Sequence, residues 1–195
     1  MARRLREEVP NGIFHAIAKG NAGTPIVADN HDREVLIGRM GQAIERHGWS
    51  CLAYCLLNTH IHLVIVTPRP NLGAGMKWFL GPYAQKFNHR HERDGHLFRG
   101  RFYSGRIRSP AHLISALTYV VLNPVRAGIV DRPEQWRWSS YAATVGRRPA
   151  PDYLDVSAVL ELVDTDPRRA QLAFEVAVQD ARSRDLPAGG TSGGT

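Results

Sequence analysis

Four residues of this chain have the types and spacing to act on a phosphate ester. His60 and His62 lie two apart in the run Asn58-Thr59-His60-Ile61-His62-Leu63-Val64-Ile65-Val66. The run reads as a β-strand, in which successive side chains point to opposite faces. Both imidazoles then share one face, while Ile61, Leu63 and Ile65 line the other. Two convergent neutral imidazoles are a partial ligand set for a divalent metal. Tyr119 and Asn123 are four apart on a helical pattern, so one turn brings a phenol and a carboxamide together. A metal held by two histidines and one oxygen keeps open positions for a phosphate oxygen. A phenol is a weak nucleophile at neutral pH unless activated. Polarisation of the phosphate and nearby arginines would ease its attack, and the product is a covalent phosphotyrosine.

These residues need a sheet face and a helix to cross it. Residues 11–19 predict a strand with Ile13, His15 and Ile17 on one face, and residues 20–25 are loop chemistry. Asn30 reads as the N-cap of a helix over 31–47, with Leu36, Met40, Ala43 and Ile44 as its apolar stripe and Gly48 as its stop. Residues 49–57 and 60–67 read as a hairpin around Asn58-Thr59. A helix over 73–92 follows, and Gly81-Pro82 within it predicts a kink or two pieces. A fourth strand falls near 102–108. Ser109-Pro110 is an N-cap and N1 pair for a helix over 111–122, stopped by Asn123-Pro124. Leu113, Leu117, Val120 and Val121 form its apolar side, and His112, Ser115, Tyr119 and Asn123 the opposite stripe.

The order βαββαβ predicts an α+β fold, a ferredoxin-like plait whose antiparallel sheet carries two helices on one face. The next helix, the catalytic one, can lie across the other face and bring Tyr119 and Asn123 to the histidines. Residues 155–182 predict a C-terminal helical extension, interrupted around Asp166-Pro167. The expected division is 1–146 for the catalytic domain, 147–185 for the helical extension and 186–195 for a disordered tail.

Charge points to the partner. The formal net charge is +7, and only Lys19, Lys77 and Lys86 among the 25 basic side chains are lysines. Arginine suits bidentate phosphate contacts and base stacking. The stretch Arg99-Gly100-Arg101-Phe102-Tyr103-Ser104-Gly105-Arg106-Ile107-Arg108 interleaves cations with aromatics, the combination that grips single-stranded nucleic acid. No apolar run is long enough to span a membrane, and the charged N-terminus is not a secretory signal. Cys51 and Cys55 read as buried free thiols, which suits a reducing cytoplasm. Asn123 has a second reading as a helix C-cap, and Trp136 and Trp138 read as packing residues. His15 reads first as a structural strand histidine, with the site as the alternative, and His112 as a surface residue, with a phosphate contact as the alternative. Arg3, Arg4 and Arg6 read equally as a DNA arm or a solvated tail.

The chain resembles the single-tyrosine HUH transposases, and especially their REP-associated tyrosine transposase branch. The resemblance covers roughly residues 10–142 and is carried by ordered stretches. These include Phe14-His15-Ala16-Ile17-Ala18-Lys19-Gly20-Asn21, Asn58-Thr59-His60-Ile61-His62-Leu63, Gly95-His96-Leu97-Phe98-Arg99-Gly100-Arg101-Phe102, Tyr119-Val120-Val121-Leu122-Asn123-Pro124-Val125-Arg126 and Trp138-Ser139-Ser140-Tyr141. It implies His60 and His62 as metal ligands, Asn123 as a third, Tyr119 as nucleophile and Mg²⁺ or Mn²⁺ as cofactor. Arg99, Arg101, Arg106, Arg108 and Arg126 are the expected DNA-binding set. The implied substrate is single-stranded DNA beside a hairpin or palindromic repeat, nicked and rejoined through a 5′-phosphotyrosine that leaves a free 3′ hydroxyl. The protein is expected in the cytoplasm, on the nucleoid when bound, as a monomer or homodimer. One departure stands out: Thr59 precedes the first histidine where the family usually has Asn. The alternative is an idle module that binds hairpins of DNA or RNA without turnover. A small-molecule metallohydrolase fits poorly, since barrel and cupin scaffolds need other element orders.

Overall fold

A computed structural model describes residues 8–185. The tail 186–195 and Arg3, Arg4 and Arg6 lie outside the described residues. The core order is β1 (Gly12–Lys19), α1 (Asn30–His47), β2 (Ser50–Leu56), β3 (His60–Thr67), α2 (Leu72–Arg90), β4 (Tyr103–Ile107) and α3 (Pro110–Arg126). The strands form one sheet in the order β2-β3-β1-β4, with every neighbouring pair antiparallel. The fold is thus the expected α+β plait.

Alternation divides the sheet into two faces. Phe14, Ala16 and Ala18 of β1 join Ile61, Leu63 and Ile65 of β3 in a core with Leu36 and Met40 of α1 and Met76, Phe79 and Tyr83 of α2. A fully buried side chain of this size contributes about 1.5–3 kcal/mol. The other face packs Val64 and Ile107 against Leu113, Leu117 and Val121 of α3. Beyond α3 come α4 (Tyr141–Thr144), α5 (Val156–Leu160) and α6 (Pro167–Asp185). Phe174, Val178 and Ala181 of α6 belong to the same buried cluster as α3, so the C-terminal helices back the helix that carries Tyr119.

Three local details differ from expectation. Asp29, not Asn30, caps α1: its side chain accepts the Asp32 N–H at 2.9 Å. Helix α2 runs through Pro82 unbroken. Arg39 of α1 donates to the Trp78 and Phe79 carbonyls at 3.0 and 3.3 Å, satisfying the turn whose partner N–H the proline lacks. Helix α3 likewise continues past Asn123-Pro124 to Arg126. Near this second proline the Tyr119 carbonyl accepts from Asn123 Nδ2 at 2.8 Å and Arg126 Nη1 at 2.9 Å. Asn123 is therefore an interior helical residue, not a frayed end.

Cys51 and Cys55 are free and buried, and burial pushes the Cys51 thiol up to about 12. A register slip between Cys51 and Ala53 sends the two thiols to opposite cores despite their spacing of four. The outer edge of β2 is closed: Leu56 N–H donates to the Trp138 carbonyl and Asp155 N–H to the Cys51 carbonyl. Trp136 Nε1 also donates to the Leu56 carbonyl at 2.9 Å, the packing role expected of this segment. Among the described residues, no helix is long and apolar enough to cross a membrane.

Gly20 fixes the approach to the histidine turn. Its N–H donates to the Thr59 carbonyl at 2.7 Å, and a Cβ there would come 1.9 Å from the Thr24 carbonyl oxygen. Backbone cannot yield as a side-chain tip can. Gly20→Ala is expected to cost about 1–3 kcal/mol, visible as a lower melting temperature by differential scanning calorimetry.

Candidate active site

Strand pairing assembles the cluster. On β1, Ile17 pairs with His62 and Lys19 with His60. His15 shares their face, and its Nε2 lies 2.9 Å from His62 Nδ1. The His60 and His62 rings are 4.8 Å apart between centroids. Tyr119 projects from α3 onto this group, 5.8 Å from both the His62 and His15 rings, edge-on to each. It remains 42% exposed, so a strand can reach its hydroxyl. The Arg126 guanidinium lies 4.6 Å from the centre of the Tyr119 ring.

Each histidine is oriented by a neighbour and keeps one nitrogen open. Thr59 Oγ1 lies 2.9 Å from His60 Nδ1, leaving Nε2 of that ring. His62 Nδ1 meets His15, and its Nε2 is buried with no hydrogen-bond partner. An orphaned buried nitrogen carries a desolvation cost of about 1–3 kcal/mol, and a ligand would relieve it. Burial, with the His60, His15 and Lys19 charges, pushes His62 down to about 2. Burial and Lys19 lower His60 as well, and burial with the His112 charge takes His15 down to about 4. All three rings are neutral at pH 7, the form that binds a metal.

Among the described residues, no group of three or more His, Cys, Asp or Glu side chains is arranged to hold a metal ion. The donor set on offer is smaller: His60 Nε2 and His62 Nε2, completed by an oxygen of another kind. Asn123 is buried one turn beyond Tyr119, and its amide nitrogen is engaged by the Tyr119 carbonyl. Any donor it offers a cation is its carbonyl oxygen. Asn58 is turned away, accepting from Arg33 at 2.6 Å.

The basic stretch does not converge. Arg99 is exposed, and its N–H donates to the Lys19 carbonyl, beside the His60 end of β1. Arg101 is exposed as well. Arg106 pairs with Phe14, whose side chain belongs to the α1/α2 core, so Arg106 projects from the face opposite the histidines. Arg108 follows β4 and lies five residues past Tyr103, roughly 17 Å along the strand. Arg99 and Arg126 therefore stand nearest the site, Arg106 and Arg108 do not, and Arg101 lines a cavity against α2 with Met76 and Leu80. His112 is exposed in the first turn of α3, near enough to His15 to act on it through charge.

A Haemophilus influenzae protein described as "Putative REP-associated tyrosine transposase" is 25% identical over 111 residues, which is 51% of this chain and 63% of that protein. A REP-associated tyrosine transposase solved bound to a REP hairpin covers 80% of this chain and 94% of its own, at a TM-score of 0.64 and 18% identity. The chain is similar to the REP-associated tyrosine transposases in sequence and in fold. No family model matches it. The chain spans less than two thirds of the length of the curated REP-associated relative. Thr59, directly before the first histidine, has a local role: its hydroxyl orients the His60 ring.

Proposed function

We propose that this protein cuts and rejoins single-stranded DNA beside a hairpin, with Tyr119 as nucleophile. The observation that carries the reading is the meeting of an accessible phenol with two oriented, neutral imidazoles, one with an orphaned buried nitrogen. The fold likeness to a transposase bound to a REP hairpin supports the choice of substrate.

The chemistry balances without an outside reagent. The Tyr119 oxygen forms a bond to phosphorus and the bond from phosphorus to the DNA 3′ oxygen breaks. The phenolic proton leaves Tyr119, and the departing 3′ oxygen takes up a proton to become a hydroxyl. The phosphotyrosine retains the diester energy, so attack by a 3′ hydroxyl reverses the step. Arg126 places positive charge beside the reacting phosphate. His60 and His62 would hold Mg²⁺ or Mn²⁺, with the Asn123 carbonyl oxygen as the third donor. When bound, such an ion supplies Lewis acidity toward a phosphate oxygen.

The test is a labelled hairpin with a single-stranded flank, incubated with the protein and Mn²⁺ and run on a denaturing gel. A covalent protein–DNA band is expected, and its absence across flank sequences, with binding retained, would favour an idle hairpin-binding module instead. Thr59→Val is expected to weaken Mn²⁺ binding about 10-fold or more, since partners that orient a ligand carry that much. Isothermal titration calorimetry measures it, and unchanged affinity would free Thr59 of any role.

A further inference from the structure

The sheet register exposes a second aromatic on the site face. Ile17 of β1 pairs with His62 on one side and with Tyr103 on the other. Directly paired residues project to the same face. Tyr103, Ile17 and His62 therefore form one row across three strands, and Lys19 and His60 form the next. Helix α3 covers this face over Ile107 and Val64 but leaves the Tyr103 corner open. Tyr103 is 63% exposed, Lys19 is exposed and Ile17 is half-buried.

The Tyr103 ring is laid along its strand. A Cβ at Gly105 would come 3.1 Å from the Tyr103 hydroxyl, so the ring runs over Gly105, which is the pairing partner of His15. Cations border the strip: Lys19, and the exposed Arg99, whose backbone N–H donates to the Lys19 carbonyl. An exposed aromatic among cations matches one class of ligand, the unpaired nucleotide, whose base stacks while its phosphates meet positive charge.

We propose that Tyr103 is a nucleobase-stacking platform that receives one unpaired base flanking the scissile phosphate, with Lys19 holding the intervening phosphate. The inference rests on the strand-cleaving reading above, because it takes the histidine cluster as the point where the strand lies. It makes Tyr103 a positioning residue, continuous with the site through Ile17.

The experiment measures binding alone, by fluorescence anisotropy of a labelled hairpin with a single-stranded flank, in the uncleaving Tyr119→Phe parent. Adding Tyr103→Ala is expected to weaken binding about 5- to 150-fold, the range for one stacked base. Tyr103→Phe and Tyr103→Trp should stay within about twofold of the parent, because the ring face is kept. A single abasic nucleotide is then moved along the flank. At one position it should weaken the parent by the same factor and leave the Tyr103→Ala protein unaffected. A Tyr103→Ala protein that binds like its parent, or abasic losses that add to it at every position, overturns the platform alone. A parent that binds no flanked hairpin overturns the platform and the strand-cleaving reading together.

Discussion

Replacing Tyr119 with Phe is expected to abolish the covalent protein–DNA adduct while leaving strand binding intact. The substitution removes one oxygen and keeps the ring. The edge contacts with His62 and His15, and the Arg126 guanidinium near the ring, do not depend on that oxygen. Leu117, Val120 and Val121, which anchor the helix through its buried apolar side, are untouched. Fold and affinity should therefore survive. Only the group that attacks phosphorus is lost, and loss of a nucleophile commonly costs on the order of 10⁴-fold or more in rate. Denaturing gels with Mn²⁺ read the adduct, and anisotropy reads binding on the same samples. An adduct equally abundant with Tyr119→Phe would sink the nucleophile assignment. A matching collapse in binding would mean that the hydroxyl grips the strand instead.

Much of this arrangement was legible in the residues, for physical reasons. Alternation alone puts His60 and His62 opposite Ile61, Leu63 and Ile65; those three lie in the core with α1 and α2, while Val64, on the face of the histidines, packs with α3. Ser109-Pro110 opens α3 as capping chemistry requires, and the Ser109 side chain accepts the His112 N–H. What stayed hidden depends on contacts between distant segments. The pattern of β1 gives His15 a face shared with Ile13 and Ile17, but only the β1–β3 register makes that the face of His62. The same limit applies to the arginines, because a basic run does not reveal which of its members cross a strand to the far side. The prolines misled in one direction. Pro82 and Pro124 are strong stop signals, yet nearby carbonyls find donors in Arg39, Asn123 and Arg126, so both helices continue. Asn123 is buried for that reason.

His62→Leu separates the metal proposal from simple packing. In the metal-free protein, two effects of similar size oppose each other. The substitution removes the orphaned Nε2 and its desolvation cost, about 1–3 kcal/mol. It also removes the partner of His15 Nε2, leaving that nitrogen half-buried without its bond, a loss of similar order. The net change in metal-free stability is expected to stay within about 1 kcal/mol. The response to metal should differ sharply. A ligand that binds only the folded state adds RT ln(1 + [L]/Kd), about 2.7 kcal/mol at a hundredfold excess over Kd. The unsubstituted protein should gain this stabilisation from Mn²⁺, and His62→Leu should gain none. Thermal denaturation with and without Mn²⁺ measures both terms. If His62→Leu keeps the full Mn²⁺ shift, the ion binds elsewhere and the two histidines serve the fold. If neither protein responds, the neutral cluster acts on the phosphate through its own hydrogen bonds. The orphaned Nε2 of His62 would then be a donor or acceptor awaiting DNA rather than a metal ligand.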